Sequence, residues 1–424
     1  GYLVDVICCA FHDLPKFEVI NGVNVYRIEP WFFKTIYRKN LFENKKEAIQ
    51  AIHDAQDAII ESKIVGKAYQ ISNMTKWIAY IREIFLEFAS RLFHYFWWPD
   101  FGMFWILPAY KICNKLISKN SYKRIFAISW PVSAHVVGYL LACKKNRIST
   151  SIIMDIGDPF STNQLNPPNN FDLYKSVNKF FEKKVLDKVD GISVTTPQTK
   201  KLYIETFKIE ENKIEVIPPL LNHQEKTKNT FFTNYQSQKK TIRAVYIGSF
   251  RKVNRPPDFL IHLFKDLCNS SIDKKFELHI IGDYSDCKNV IDEARNNLYG
   301  CFFTYGVMRH EKALQALNEA DVLINIGNKS EFQVPSKLVE YIASGNPIIN
   351  IQFIENDSSF RFLKNYPSLC NLNIFDEKYE SIFTKTIDFI SNLPTKIPQE
   401  YVANFLKKNS VKGISNMYLS TWWK

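Results

Sequence analysis

Short apolar runs alternate with helical-period segments along most of this 424-residue chain. Six runs in the first half have strand character: residues 3–9, 23–28, 124–129, 151–156, 191–195 and 213–217. Each is rich in β-branched or aromatic residues and is followed by turn residues or a helical pattern. A second series begins after a polar stretch, at residues 244–247, 276–281, 301–305, 322–326 and 348–351. Strands separated by helices predict an α/β protein whose parallel sheets carry helices on both faces.

Between the second and third strands a helical insertion is expected at about 31–120. Ala48, Ile52, Ala55 and Ile59 recur at helical spacing. Residues 76–98 crowd Trp77, Tyr80, Phe85, Phe88, Trp97 and Trp98 around Arg82, Glu83, Glu87 and Arg91, an amphipathic pattern. It fits either a core-packed helix pair or a membrane-facing or lipid-acceptor surface. Residues 223–240 follow Pro218-Pro219 without apolar periodicity and read as a linker. The expected division is therefore residues 1–222, the linker 223–240, a second domain over 241–398 and helices over 399–424. The last of these have the first domain as a candidate packing partner.

Composition agrees with two cores. At 424 residues the chain exceeds one core, and two domains of about 200 residues are the default. A hydrophobic fraction of 46% with 15% aromatics excludes a disordered chain. The eight cysteines include no CxxC pair, so they read as reduced thiols of a cytosolic protein. No Cys/His cluster has metal-ligand spacing, and no metal or cofactor is expected. The net charge of +12 suits a diphosphate substrate or an anionic membrane surface. No nucleic-acid motif accompanies it, and a nucleic-acid partner is not expected. No window of eighteen uncharged apolar residues is present to span a membrane. Because the chain opens inside a strand, the beginning of the natural protein is expected to be missing.

The segment Pro335-Ser336-Lys337-Leu338-Val339-Glu340-Tyr341-Ile342-Ala343-Ser344-Gly345 predicts a short helix that opens just after the proline and closes on Gly345. Free N–H groups and a positive dipole end at such a start suit a phosphate, and Glu340 lies about one turn in. An ordinary connection with a glycine cap reads equally well from this segment alone. It resembles the nucleotide-sugar site of the family-4-type glycosyltransferases of the GT-B fold. Further stretches carry the resemblance in order: Val245-Tyr246-Ile247-Gly248-Ser249-Phe250, Arg255-Pro256, Ile280-Ile281-Gly282-Asp283, Tyr305-Gly306-Val307-Met308 and Ala320-Asp321-Val322-Leu323-Ile324. Glu331 and Glu340 are separated by eight residues where the family has seven.

In the first half, Trp98-Pro99-Asp100, Ser129-Trp130-Pro131-Val132-Ser133-Ala134-His135 and Asp155-Ile156-Gly157-Asp158-Pro159-Phe160 resemble segments of one bacterial branch. Phe181-Glu182-Lys183-Lys184 and Val194-Thr195-Thr196-Pro197 match its last helix and strand.

The resemblance implies two Rossmann-like domains with a cleft between them, and a retaining transfer of a hexose-type sugar from a nucleotide-diphosphate sugar. The implied acceptor is a polysaccharide or lipid-linked glycan at the inner face of the cytoplasmic membrane. It implies donor binding by Gly248, Ser249, Arg255, Gly306, Val307, Met308, Glu331, Ser336, Leu338 and Glu340, and catalytic roles for His135, Asp158 and Lys337. Arg251 and Lys252 compete with Arg255 for the cation's place. Histidine and aspartate also have plain structural uses here, His135 as a helix cap and Asp158 as a turn former before proline. Rivals are a nucleotide-sugar epimerase of the same fold and a binding protein that lost turnover.

Overall fold

The protein is described here by a computed structural model covering residues 2–10, 14–30, 95–144, 150–221, 230–232, 241–270 and 274–422. Most of the expected insertion, and the aromatic stretch as far as residue 94, lie outside the described residues, as does most of the linker.

Three sheets are formed. The first holds β1 (Asp5–Cys9), β2 (Phe17–Ile20) and β3 (Val23–Ile28) in the order β1-β3-β2. β1 is parallel to β3, but β2 is antiparallel to it, a departure from the all-parallel expectation. The cause is local. Asn21 and Gly22 have φ of 51° and 80°, the pair of positive angles that a tight hairpin turn needs and that Asn-Gly supplies at low cost. The second sheet has the order β4-β5-β6-β7, from Arg124–Ile128, Ser151–Ile156, Gly191–Val194 and Ile214–Val216.

The third sheet is the largest. Its strands are β8 (Thr241–Ile247), β9 (Lys275–Ile281), β10 (Phe302–Gly306), β11 (Val322–Ile326), β12 (Ile348–Gln352) and β13 (Leu369–Asn373). The order is β10-β9-β8-β11-β12-β13, and every pair is parallel. Strand succession therefore reverses between β8 and β11, and such a switch point opens a crevice at the carboxyl ends of the strands.

By compactness the chain divides into Gly1–Ile156 with Phe160–Ile192, and Gly157–Pro159 with Ser193–Lys424. The second unit buries both faces of its six-stranded sheet. Ile242, Ala244, Leu278, Ile280, Ile324 and Ile351 point to one face, covered by Leu260, Leu263, Ile291 and Ile382. Val245, Ile281, Leu323 and Ile348 point to the other, covered by Leu314, Leu317, Leu338, Ile342 and Val402. This two-sided burial explains why the strands read as near-continuous apolar runs. Val402 belongs to helix Gln399–Phe405, which therefore packs on the core of its own unit. Within the expected linker, Phe231 and Phe232 dock on the same unit, their amides donating to the Glu319 carboxylate at 2.7 and 3.0 Å.

One side chain splices the sheet at its switch point. Tyr341 is fully buried, and its hydroxyl accepts from the Ile247 amide at 2.9 Å and donates to the Ile324 carbonyl at 3.1 Å. It thus satisfies backbone groups of β8 and β11 where the strands diverge. Tyr341→Phe would leave the Ile247 amide without this partner, at a cost of about 1–3 kcal/mol. The expected outcome is a lower urea midpoint at an unchanged slope; an unchanged midpoint would show that the hydroxyl splices nothing.

Candidate nucleotide-sugar site

Glycines shape the carboxyl edge of β8, β9 and β10. The Gly248 amide donates to the Ile281 carbonyl at 2.8 Å, and the Gly282 amide to the Gly306 carbonyl at 2.8 Å. Gly282 has φ of +137°, and a side chain there would run into the Gly248 backbone. Gly306 has φ of +65°. The edge can therefore approach a ligand closely, as glycine turns at strand ends permit.

A lysine ammonium fills the space that Gly248 leaves. A Cβ at Gly248 would collide with Lys337 Nζ. That ammonium donates to the Ile247 carbonyl and lies 5.5 Å from the centre of the Tyr246 ring. Tyr246 stacks on Phe250 at 4.5 Å, and its hydroxyl donates to the Ser249 carbonyl at 3.1 Å, fixing the turn after β8. Lys337 itself ends a turn rather than beginning a helix. The helix is Leu338–Ser344, three residues beyond Pro335 and only seven long, with no side-chain cap at its start. This corrects the expected opening just after the proline: Leu338 and Val339 bond back to Pro335 and Ser336 in tight turns. Gly345 closes the helix with φ of 77°, as expected.

Arg255 is the second cation. Its backbone pairs with Arg251 in both directions, at 3.1 and 2.9 Å, forming a small loop beyond β8. Arg251 is neutralised by Asp283 at 3.0 Å. Arg255 forms no ion pair among the described residues, and its Nε is buried without a hydrogen-bond partner. Its charge acts on both the Tyr246 hydroxyl and Lys337. Burial first, and Arg255 second, pull the Lys337 ammonium down to about 7, while Glu340 pulls the other way. Two cations whose charges oppose each other form a site that an anion would relieve.

Glu340 stands half-buried one turn into the helix, with His310 Nε2 at 3.3 Å from its carboxylate. Burial raises its pKa above the usual carboxylate range, against the opposing charges of His310 and Lys337. Leu338 is fully buried and serves the core, whereas Ser336 is exposed beside it. Val307 is 78% exposed after the Gly306 turn, and Met308 packs against the core beneath. Ser249 is half-buried. Glu331 is also half-buried, and its carbonyl accepts from Arg361 at 3.2 Å. Sequence reading missed Tyr246, Tyr341 and His310. Tyr341 follows Lys337 by one helical turn, which was the available signal.

The candidates of the first half are placed separately. His135 is buried at 6% exposure, and its Nε2 lies 3.1 Å from the Asp155 carbonyl. Burial pulls its pKa down to about 4, so the ring is neutral. A neutral ring bonded to strand backbone supports the sheet. Asp158 lies half-buried in the bend after β5. The two motifs on either side of helix Ile106–Lys119 meet: the Asp100 carboxylate accepts from the Gly102 and Ser133 amides at 2.7 and 3.0 Å. Glu182 likewise accepts from the Phe160 and Ser161 amides, each at 2.9 Å.

No family model matches the sequence, and a search of curated proteins finds no match. Solved structures do resemble it. HepE of Anabaena in complex with UDP superposes with a TM-score of 0.56 at 11% identity, over 76% of this chain and 83% of that one. Sucrose-phosphate synthase from Thermosynechococcus elongatus gives 0.58 at 12% identity, over 100% of this chain and 87% of the other. TarM gives 0.54 at 15% identity, over 75% and 58%. These neighbours are GT-B glycosyltransferases, and the chain has the GT-B fold.

The Lys337 environment has a measurable consequence. Its folded pKa of about 7 is below the ordinary lysine value of 10.5. Between these values the unfolded chain binds more protons than the folded one, so stability rises with pH across that window. Relative to Lys337→Met, the wild-type protein should gain stability from pH 7 to about 10 in urea unfolding. Parallel curves for the two proteins would show that the ammonium is not held in this way.

Proposed function

We propose that this chain is a glycosyltransferase that moves a hexose-type sugar, with retention, from a nucleotide-diphosphate sugar to a polysaccharide or lipid-linked glycan acceptor. The observation that carries the reading is the pair Lys337 and Arg255 at the glycine edge of the sheet, where the charge of Arg255 adds to burial in destabilising the Lys337 ammonium. The GT-B neighbours support it; one is HepE in complex with UDP-glucose.

In this reading the diphosphate lies at the glycine edge beside Gly248, whose missing side chain makes room for the Lys337 ammonium, and its charge meets Lys337 and Arg255. Negative charge grows on the departing diphosphate as the sugar bond breaks, so both cations stabilise the transition state more than the ground state. A diphosphate beside Lys337 also restores the proton that burial disfavours, and the fully charged ammonium then faces the leaving group. Glu340, at the helix's first turn, accepts the ribose hydroxyls, and the turn at Gly306, Val307 and Met308 presents backbone to the base. Glu331 contacts the donor sugar, and Asp158 acts from the acceptor side. The chain works at the inner face of the cytoplasmic membrane.

UDP-glucose is the probe for the test, in calorimetric titration and in turnover with glycan acceptors. Arg255→Ala and Glu340→Ala should each weaken its binding about ten- to a hundredfold, the size of hydrogen bonds to charged groups. Lys337→Ala should lower turnover as well. Gly248→Ala should reproduce the Lys337→Ala defect, because its methyl group occupies the ammonium's place. Unchanged affinity in folded Arg255→Ala and Glu340→Ala would remove the donor assignment.

A further inference from the structure

Helix Phe171–Lys188 carries its apolar residues on two faces. Asn178, Glu182, Val185 and Leu186 are buried on one. Leu173, Val177 and Phe180 recur at i, i+4 and i+7 on the other, with exposures of 45%, 46% and 65%. A helix of a water-facing surface has no reason to place three large apolar side chains in one outward stripe. The stripe continues beyond the helix. The Tyr174 hydroxyl donates to the Phe96 carbonyl at 2.7 Å, which ties Tyr95 and Phe96 to the helix. Those two rings pack edge to face at 5.0 Å and are 52% and 56% exposed.

Exposed charge runs along the helix, with Lys184 and Lys188 on the side of the stripe. Lys175, Lys179, Lys183, Lys184 and Lys188 are all exposed, against the exposed carboxylates Asp172 and Asp187. Five positive and two negative groups leave a surplus of three positive charges on the exposed surface of the helix, Glu182 being buried. Lys175 and Lys184 lean over the Phe171 and Phe180 rings at 5.9 and 5.4 Å, their stems lying along apolar surface.

We propose that this face of helix Phe171–Lys188, with Tyr95 and Phe96, docks on an anionic lipid bilayer. Leu173, Val177 and Phe180 enter the boundary between headgroups and acyl chains, Tyr95 and Phe96 sit at headgroup level, and the lysines meet lipid phosphates. A second copy of the chain is a poor fit, since it would bring the same lysines against these. A nucleic acid would take the lysines but leave the apolar stripe in water. The docking stands apart from the nucleotide-sugar reading, because vesicle binding and UDP-glucose binding are measured independently.

The test is co-sedimentation of the full chain with vesicles. It should pellet with mixed phosphatidylglycerol and phosphatidylcholine vesicles at low salt, and stay in solution with phosphatidylcholine alone or at high salt. The triple variant Leu173→Ser, Val177→Ser, Phe180→Ser should lose binding while keeping its circular dichroism. The variant Lys179→Gln, Lys184→Gln, Lys188→Gln, which alters no apolar residue, should bind on the order of a hundredfold more weakly. UDP-glucose affinity should be unchanged in both. Failure of the wild-type chain to pellet with anionic vesicles overturns the proposal. So does wild-type vesicle affinity in the lysine variant, or a serine variant that dissolves a dimer and leaves vesicle binding intact.

Discussion

The ammonium of Lys337, seated against the Ile247 carbonyl in the space Gly248 leaves empty, holds the carboxyl edge of the large sheet in its present form. A buried amine is costly, and here Arg255 increases the cost while the Glu340 carboxylate offsets part of it. The fold meets that cost by surrounding the group with fixed backbone and aromatic surface. Tyr246 lies beneath it, stacked on Phe250, and Tyr341 ties β8 to β11 behind it. Such a centre of positive charge at a topological switch point is poised for an anion.

The neighbouring cation shows how small differences divide labour. Arg251 and Arg255 share a two-way backbone pairing, yet Asp283 neutralises the first, and the second has no ion pair among the described residues. The unpartnered Nε of Arg255 is a buried donor in need of an acceptor. An anion at the glycine edge would satisfy it and would relieve the repulsion between the two cations together.

Much of the fold was legible in the sequence because the six-stranded sheet is buried on both faces. Its strands are uniform apolar runs, and each of the first three ends on or beside a glycine, so Gly248, Gly282 and Gly306 stood out. Gly345 was legible as a helix end for the same reason. Strand β13 escaped because the half-buried Asn371 and Asn373 interrupt it; the Asn350 amide donates to Asn371 across the sheet. The hairpin at Asn21-Gly22 escaped although its turn signal was present, since the strand before it, Phe17–Ile20, is only four residues long. The helix start was misplaced because Ser336 and Lys337 form a turn that puts the lysine into the site. The surroundings of His135 were not legible because a lone histidine on an apolar helix gives no sign of which backbone its ring meets. The choice of Arg255 over Arg251 depended on family likeness alone; only the contact with Asp283 gives it a physical basis.

Proton uptake on ligand binding tests the central claim most directly. With its pKa held at about 7, Lys337 is mostly neutral in the free protein at pH 8. A diphosphate placed against it would return the group to its charged form, while UDP-glucose itself does not titrate near this pH. Calorimetric titration of UDP-glucose at pH 8, in buffers of different ionisation enthalpy, should show uptake of close to one proton, lost in Lys337→Met. Tight binding with no proton exchanged, or the same uptake in Lys337→Met, would contradict the account.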